Sequence, residues 1–184
     1  LLDDRYHRSP TPAPRTDDKT MWGEAQRQWL IDALTSSEAP FKLVVNGGQV
    51  TTPKAQYETS ARFPHEQSLL LEALQERQIE GVVFLSGDRH ITELLRRQPE
   101  DFYPIYEFTN SPLTAGAGSG SANPNRVDGT LVEQRNFGTL TVRGPREDRV
   151  LTLRTFDADG TRLWERSIRA QALTVPDGTD DGEE

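Results

Sequence analysis

Apolar and polar positions alternate along this chain in a way that separates it into two textures. In the first half, Trp22, Ala25, Trp29, Leu30, Ala33 and Leu34 recur at three- and four-residue spacing, which predicts an amphipathic helix over 23–36 that ends near Pro40. Phe41-Lys42-Leu43-Val44-Val45 then reads as a strand running into Asn46-Gly47-Gly48-Gln49, a polar, glycine-rich turn. Pro64 suits the first turn of a second helix, carried by Leu70, Ala73 and Leu74 to about Gln78. Val82-Val83-Phe84-Leu85 is an unbroken apolar run, as expected of a strand buried on both faces, and it stops at Ser86-Gly87-Asp88-Arg89-His90. Helix, strand, helix, strand predicts crossover units and parallel strand pairs, and the two polar turns are expected to converge at one sheet edge.

The second half reads differently. A short strand is expected over 105–109, followed by a flexible glycine-serine segment over 115–121. Residues 137–142, 150–156 and 162–168 then alternate as three antiparallel strands, the last two joined at Asp159-Gly160, a strong hairpin signal. Between Ser9 and Lys19, Pro10, Pro12 and Pro14 forbid a helix and predict an extended loop. Leu1-Leu2 before Asp3-Asp4 reads as the end of a strand already under way. The expected class is α/β (α+β), closed by a carboxyl-terminal antiparallel β-meander.

Composition narrows the functional classes. The chain has 184 residues, 34% hydrophobic content, a mean hydropathy of −0.70 and a formal net charge of −8. That balance argues against nonspecific binding to nucleic acid or an anionic membrane surface. The end Asp180-Asp181-Gly182-Glu183-Glu184 has nothing to bury and is expected to be disordered. With no cysteine, thiol nucleophiles, disulfides and zinc ribbons are excluded, and the compartment stays open. No stretch reaches the roughly 18 apolar residues of a membrane span.

Three histidines are candidates for chemistry. His7 follows a strand and His65 sits at a helix start, contexts in which surface exposure is the ordinary outcome. His90 differs, because a rigid strand fixes its backbone and Gly87 permits a tight turn beside it. Asp88 and His90 together suit calcium, iron, manganese or zinc. Taken alone the four residues admit a second reading, in which Asp88 caps the segment 91–97 and His90 is a solvated loop residue. An acid/base pair acting with Ser86 or Ser111 as nucleophile is a third, without a Gly-x-Ser-x-Gly elbow in its support. The tryptophans Trp22, Trp29 and Trp164 read as core or interface packing rather than a substrate platform.

Gly87-Asp88-Arg89-His90 after Val-Val-Phe-Leu-Ser resembles the last metal-binding block of the alkaline phosphatase D (PhoD-like) branch of calcineurin-like metallophosphoesterases. Five further blocks resemble the same family in the same order: 2–8 (Leu-Asp-x-Arg-x-x-Arg), 23–30 (Gly-x-x-Gln-x-x-Trp-Leu), 41–50, 106–113 and 135–138. The resemblance implies a four-layer α/β/β/α sandwich and a hydrolase in which two or more divalent or trivalent metal ions polarise a phosphate ester. It implies that Asp88 and His90 are metal ligands or their immediate neighbours. Asn46 and Gln49 fall where many superfamily members place another metal-binding histidine, and Asn110 and Ser111 are expected along the same cleft. The family's early Asp-x-His, Gly-Asp-x-x-Asp and Gly-Asn-His-Asp/Glu blocks do not precede Asp88. Residues 1–173 are therefore expected to be the carboxyl-terminal half of such a domain, with 174–184 as its acidic tail. The implied partners are a phosphate ester and the amino-terminal half of the same domain. On that expectation the isolated chain binds metal weakly and turns over little. The rival from another class is a noncatalytic binding or assembly module derived from this fold.

Overall fold

A computed structural model describes residues 1–176, so the expected disorder of 180–184 lies outside the described residues. In chain order the elements are α1 (Glu24–Ser36), β1 (Lys42–Val45), α2 (Pro64–Glu76), β2 (Val82–Ser86), β3 (Glu93–Arg97), β4 (Ile105–Thr109), β5 (Asn136–Arg143), β6 (Val150–Asp157) and β7 (Arg162–Arg169). One sheet has the order β1-β2-β4-β3, the other β5-β6-β7. In the first sheet β1, β2 and β4 are mutually parallel, while β3 pairs with β4 antiparallel. The second is antiparallel throughout. The mixed α/β class with a closing meander is thus the observed one.

Both sheets and both helices share one apolar core. Leu30, Leu34, Leu70 and Leu74 enter it from the helices, Val44, Val83 and Phe84 from the parallel strands, and Leu151, Leu153 and Ile168 from the meander. The sheets meet where Phe108 of β4 lies edge-on against Trp164 of β7, ring centroids 5.4 Å apart. Because side chains alternate along a strand, Glu107, next to Phe108, points to the opposite face. Trp22 is buried with Trp164, but Trp29 is 56% exposed on α1, so it is not the core residue that its spacing predicts. Its neighbours Leu30 and Ile31 take the buried side of the helix instead.

α1 and α2 are tied by a carboxylate. Glu66, buried in the first turn of α2, accepts hydrogen bonds from the backbone N–H groups of Met21, Trp22 and Gly23 and from the Thr20 hydroxyl. These donors lead into α1, and Gly23 N–H is shared with the Thr20 hydroxyl at 2.7 Å. Leu2, also buried, donates its N–H to the Val45 carbonyl at 2.8 Å, extending the edge of β1 without forming a strand of its own.

The segment 91–97 is not capped by Asp88 and is not helical. Glu-Leu-Leu-Arg-Arg has good local helix propensity, yet it forms β3, with Leu94 opposite Phe108 and Leu95 opposite Glu107. The sheet decides the matter, because β3 supplies the fully buried edge positions Leu94 and Leu95 and the charge of Glu93 is matched by Arg126 at 2.6 Å.

Candidate functional site

Parallel pairing brings the carboxyl ends of β1, β2 and β4 to one edge of the sheet. Asn46 donates its N–H to Leu85 at 2.9 Å and Gly87 to Gly47 at 3.0 Å, so the two polar turns converge as the sequence predicts, and Asn110 N–H to Ser86 at 2.9 Å brings the end of β4 beside them. The tightness of the β2 turn does not come from Gly87. Left-handed backbone falls instead on Asp88 (φ 62°) and His90 (φ 54°), two non-glycine residues separated by one position. Such conformations are uncommon for side-chain-bearing residues and gather at functional sites. Asp88 and His90 are both exposed, and the turn is pinned by Arg89 N–H to the Gly87 carbonyl and Gly118 N–H to the His90 carbonyl, each 2.7 Å. A cavity of about 260 Å³ opens over them, walled further by Tyr57, Arg89, Gly118 and Ser119.

Arg5 sits behind this turn as a hub for three carboxylates. Its guanidinium pairs with Glu58 and lies 3.6 Å from Asp4 and 4.0 Å from Asp88. Arg8 holds the other Glu58 oxygen at 2.9 Å, and that hydrogen bond is the largest of the effects that keep the Glu58 carboxyl below its ordinary range. Asp4 is buried and accepts the Gly48 N–H at 2.8 Å. The close approach requires glycine: a Cβ on Gly47 would stand 2.7 Å from an Asp4 oxygen, and one on Gly48 would stand 2.9 Å from the Glu58 carbonyl.

Asn46, Gln49 and Asn110 lie at this edge, but with their polar atoms engaged. Asn46 is buried, accepts the Trp22 indole N–H at 2.9 Å and donates to the Gly48 carbonyl at 2.8 Å. Buried Gln49 donates to Glu93 at 2.7 Å and Thr109 at 2.9 Å. Asn110 donates to Thr92 and to Asn136, both at 2.9 Å. Beneath them Glu107 is fully buried and accepts from the N–H groups of Val50 and Thr51 and the Thr51 hydroxyl. Burial pushes its carboxyl up, against those hydrogen bonds. Ser86 is buried and paired with Thr109 at 2.9 Å, a poor position for a nucleophile. His65 stays at the surface, 3.9 Å from Asp17, and His7 is exposed as well.

The sequence motifs therefore located the turn with Arg89 in it, and a separate block contained Arg5, while Glu58 and Tyr57 join them only in three dimensions. The donor types of Asp88 and His90 suit a hard or borderline metal ion. Among the described residues, however, no group of three or more Asp, Glu, His or Cys side chains is gathered to hold one.

The family model of PhoD-like phosphatases matches residues 1–150. A solved structure described as "Structure of PhoD" resembles the fold with a TM-score of 0.63 and 16% sequence identity, over 91% of this chain and 41% of that one. The chain therefore spans less than half the length of that structure. No curated protein sequence matches. The six ordered sequence blocks, the converging strand ends and the family match across most of the chain lead to one conclusion: this chain belongs to the PhoD-like phosphatase family.

Proposed function

We propose that the chain supplies one side of the site of a metal-dependent phosphoric ester hydrolase, with Asp88 and His90 as metal ligands. The observation that carries this reading is the pair of left-handed residues at the carboxyl edge of the parallel strands, opening onto a cavity. Family membership supports the phosphatase class, and the strand edge is where open α/β sheets hold ligands. A bound metal would polarise the phosphoryl oxygen and lower the pKa of a bound water. Around it, Arg5 orients Asp88 while Glu58 offsets the charge of Arg5, and the Arg89–Gly87 and Gly118–His90 hydrogen bonds hold the turn rigid. The remaining donors come from outside these 184 residues, in keeping with the 41% coverage of the similar structure. Asn46, Gln49 and Asn110 shape the floor of the cleft through their hydrogen bonds rather than by contact with the ester.

Manganese and calcium titrations of this chain, read by thermal melting and by hydrolysis of a phosphomonoester and a phosphodiester, test the reading. A metal-dependent rise in Tm is expected for the wild type and its loss in Asp88→Gly and His90→Ala. Glycine at position 88 relieves the left-handed backbone, so that variant still folds. Hydrolysis by this chain alone is expected to be slight. Identical metal response in wild type and both variants, or none at all, would favour a noncatalytic module. Ordinary family-level turnover would refute the incomplete shell.

A further inference from the structure

Around the carboxyl edge most arginines are spent on carboxylates: Arg5 and Arg8 on Glu58, Arg126 on Glu93. Arg62 and Arg89 are not. Among the described residues neither guanidinium makes an ion pair or side-chain hydrogen bond, and the buried Nε of each has no partner. Both are half-buried and line one cavity of about 480 Å³ with Gln56, Tyr57, Ser119 and Ser121. That cavity shares Tyr57, Arg89 and Ser119 with the smaller one over Asp88 and His90, so the two form a continuous groove.

Two uncompensated cations lining one hollow are unexpected in a chain of net charge −8, with 29 Asp and Glu against 21 Lys and Arg. Both are also held in place. The Arg89 guanidinium lies over the Tyr57 ring, 4.3 Å from its centroid. Arg62 closes a single 3-10 turn, Ser60–Arg62, locked by the Phe63 N–H to the Ser60 carbonyl at 2.7 Å and by burial of the Phe63 ring. Lys19, over the Phe63 ring, has its ammonium pushed below its ordinary range by burial, with repulsion from Arg15 and Arg62 adding to it. A planar fork with free N–H donors fits the oxygens of a phosphate group, and two forks with hydroxyls nearby fit it from two directions.

We propose that Arg62 and Arg89 form an oxyanion subsite that takes a second phosphate group of the substrate, beside the ester held at Asp88 and His90. The substrate class is then an ester whose alcohol or chain carries another phosphate, rather than a simple monoester. The assignment rests on the reading of Asp88 and His90 given above, and its test is made independent of that reading by working without metal.

The experiment is calorimetric titration of inorganic phosphate and pyrophosphate into the 184-residue chain in the presence of a chelator. Wild type is expected to bind both. Arg62→Ala and Arg89→Gln should each weaken binding by about tenfold or more, the glutamine keeping contact with Tyr57. Arg62→Lys, which keeps the charge without the fork, should fall between. Arg169→Gln, which removes a surface arginine of β7 paired with Asp148 and outside the groove, should leave phosphate binding within about twofold of wild type. Melting curves identify any variant that fails to fold, and the lysine variant then carries the comparison. No phosphate binding by wild type, or equal binding by wild type and all arginine variants, overturns the subsite. If metal response fails while phosphate binding follows the arginines, the subsite stands and the metal reading falls.

Discussion

The meander and the carboxyl edge of the parallel sheet are built by opposite means. In β5, β6 and β7 every paired position continues a backbone ladder, and β6 alternates half-buried and buried residues in step with the pleat until its bulge at Thr155/Phe156. Its turn is local too: Asp157 accepts the N–H groups of Asp159 and Thr161 at 3.0 and 2.8 Å. At the carboxyl edge, by contrast, the connections are side chains reaching across the sequence. Gln49 meets Thr109 60 positions away, and Val50 meets Glu107 57 positions away. A region held by repeated backbone bonds tolerates change at single side chains, whereas one held by buried carboxylates depends on each of them.

The sharpest way to break that comparison is to remove one hydrogen-bonding side chain from each region. Glu107→Ala leaves the Val50 and Thr51 N–H groups without a partner and should lower stability by about 2–4 kcal/mol in urea unfolding. In the meander, Thr152→Ala breaks only the half-exposed Thr152–Ser167 hydroxyl pair and should stay within about 0.5 kcal/mol. Equal effects would show that the edge is no more dependent on its side chains than the ladder is.

Two glycines sharpen the contrast at intermediate size. Gly47→Ala drives a Cβ against the buried Asp4 carboxylate and should cost about 1–3 kcal/mol, with the edge distorted. Gly160→Ala meets nothing within 4 Å and carries only the left-handed backbone cost at φ 85°, about 1 kcal/mol. A Gly47→Ala variant as stable as wild type would mean that Asp4 yields freely.

The smallest effect is in acid. Hydrogen bonding from Arg8 lowers the Glu58 carboxyl below 4.5, so its contribution is present above 4.5 and is lost as pH falls through the lowered value. Glu107 runs the other way: its raised carboxyl makes stability decline as pH rises from 4.5 through the raised value. Glu58→Gln should flatten the acid limb of a stability-against-pH curve, and Glu107→Gln should flatten the limb above it. Glu165 in the meander, lowered by its bond from Arg154, gives the surface comparison, with a weaker response. An unchanged acid limb in Glu58→Gln would remove the Arg5–Arg8–Glu58 cluster as a pH-dependent clamp.

Much of this architecture is written locally. Pro64 starts α2, Val82 to Leu85 form the central strand, and Asp159-Gly160 closes the β6–β7 hairpin. The Gly-Asp-x-His block marked the turn that the parallel strands deliver to the sheet edge. Three features escaped. Residues 93–97, for which the sequence predicts no strand, form β3, because two buried leucines and a neutralised Glu93 suit the sheet edge beside β4. Trp29 has helical spacing with the core residues but faces solvent. The turn strain lies on Asp88 and His90 rather than on Gly87.

By itself, then, the sequence determined the order and kind of most elements, the closing meander and the family, because periodicity and turn chemistry act between near neighbours. Only the tertiary structure decided which carboxylates are buried and which arginines they leave free. Arg5, Glu58, Arg62 and Arg89 carry no periodic signal. Each is a single charged residue whose role depends on a partner, or on the lack of one, brought from a distant segment. The field at the candidate site is a property of that convergence, and no local window of the chain contains it.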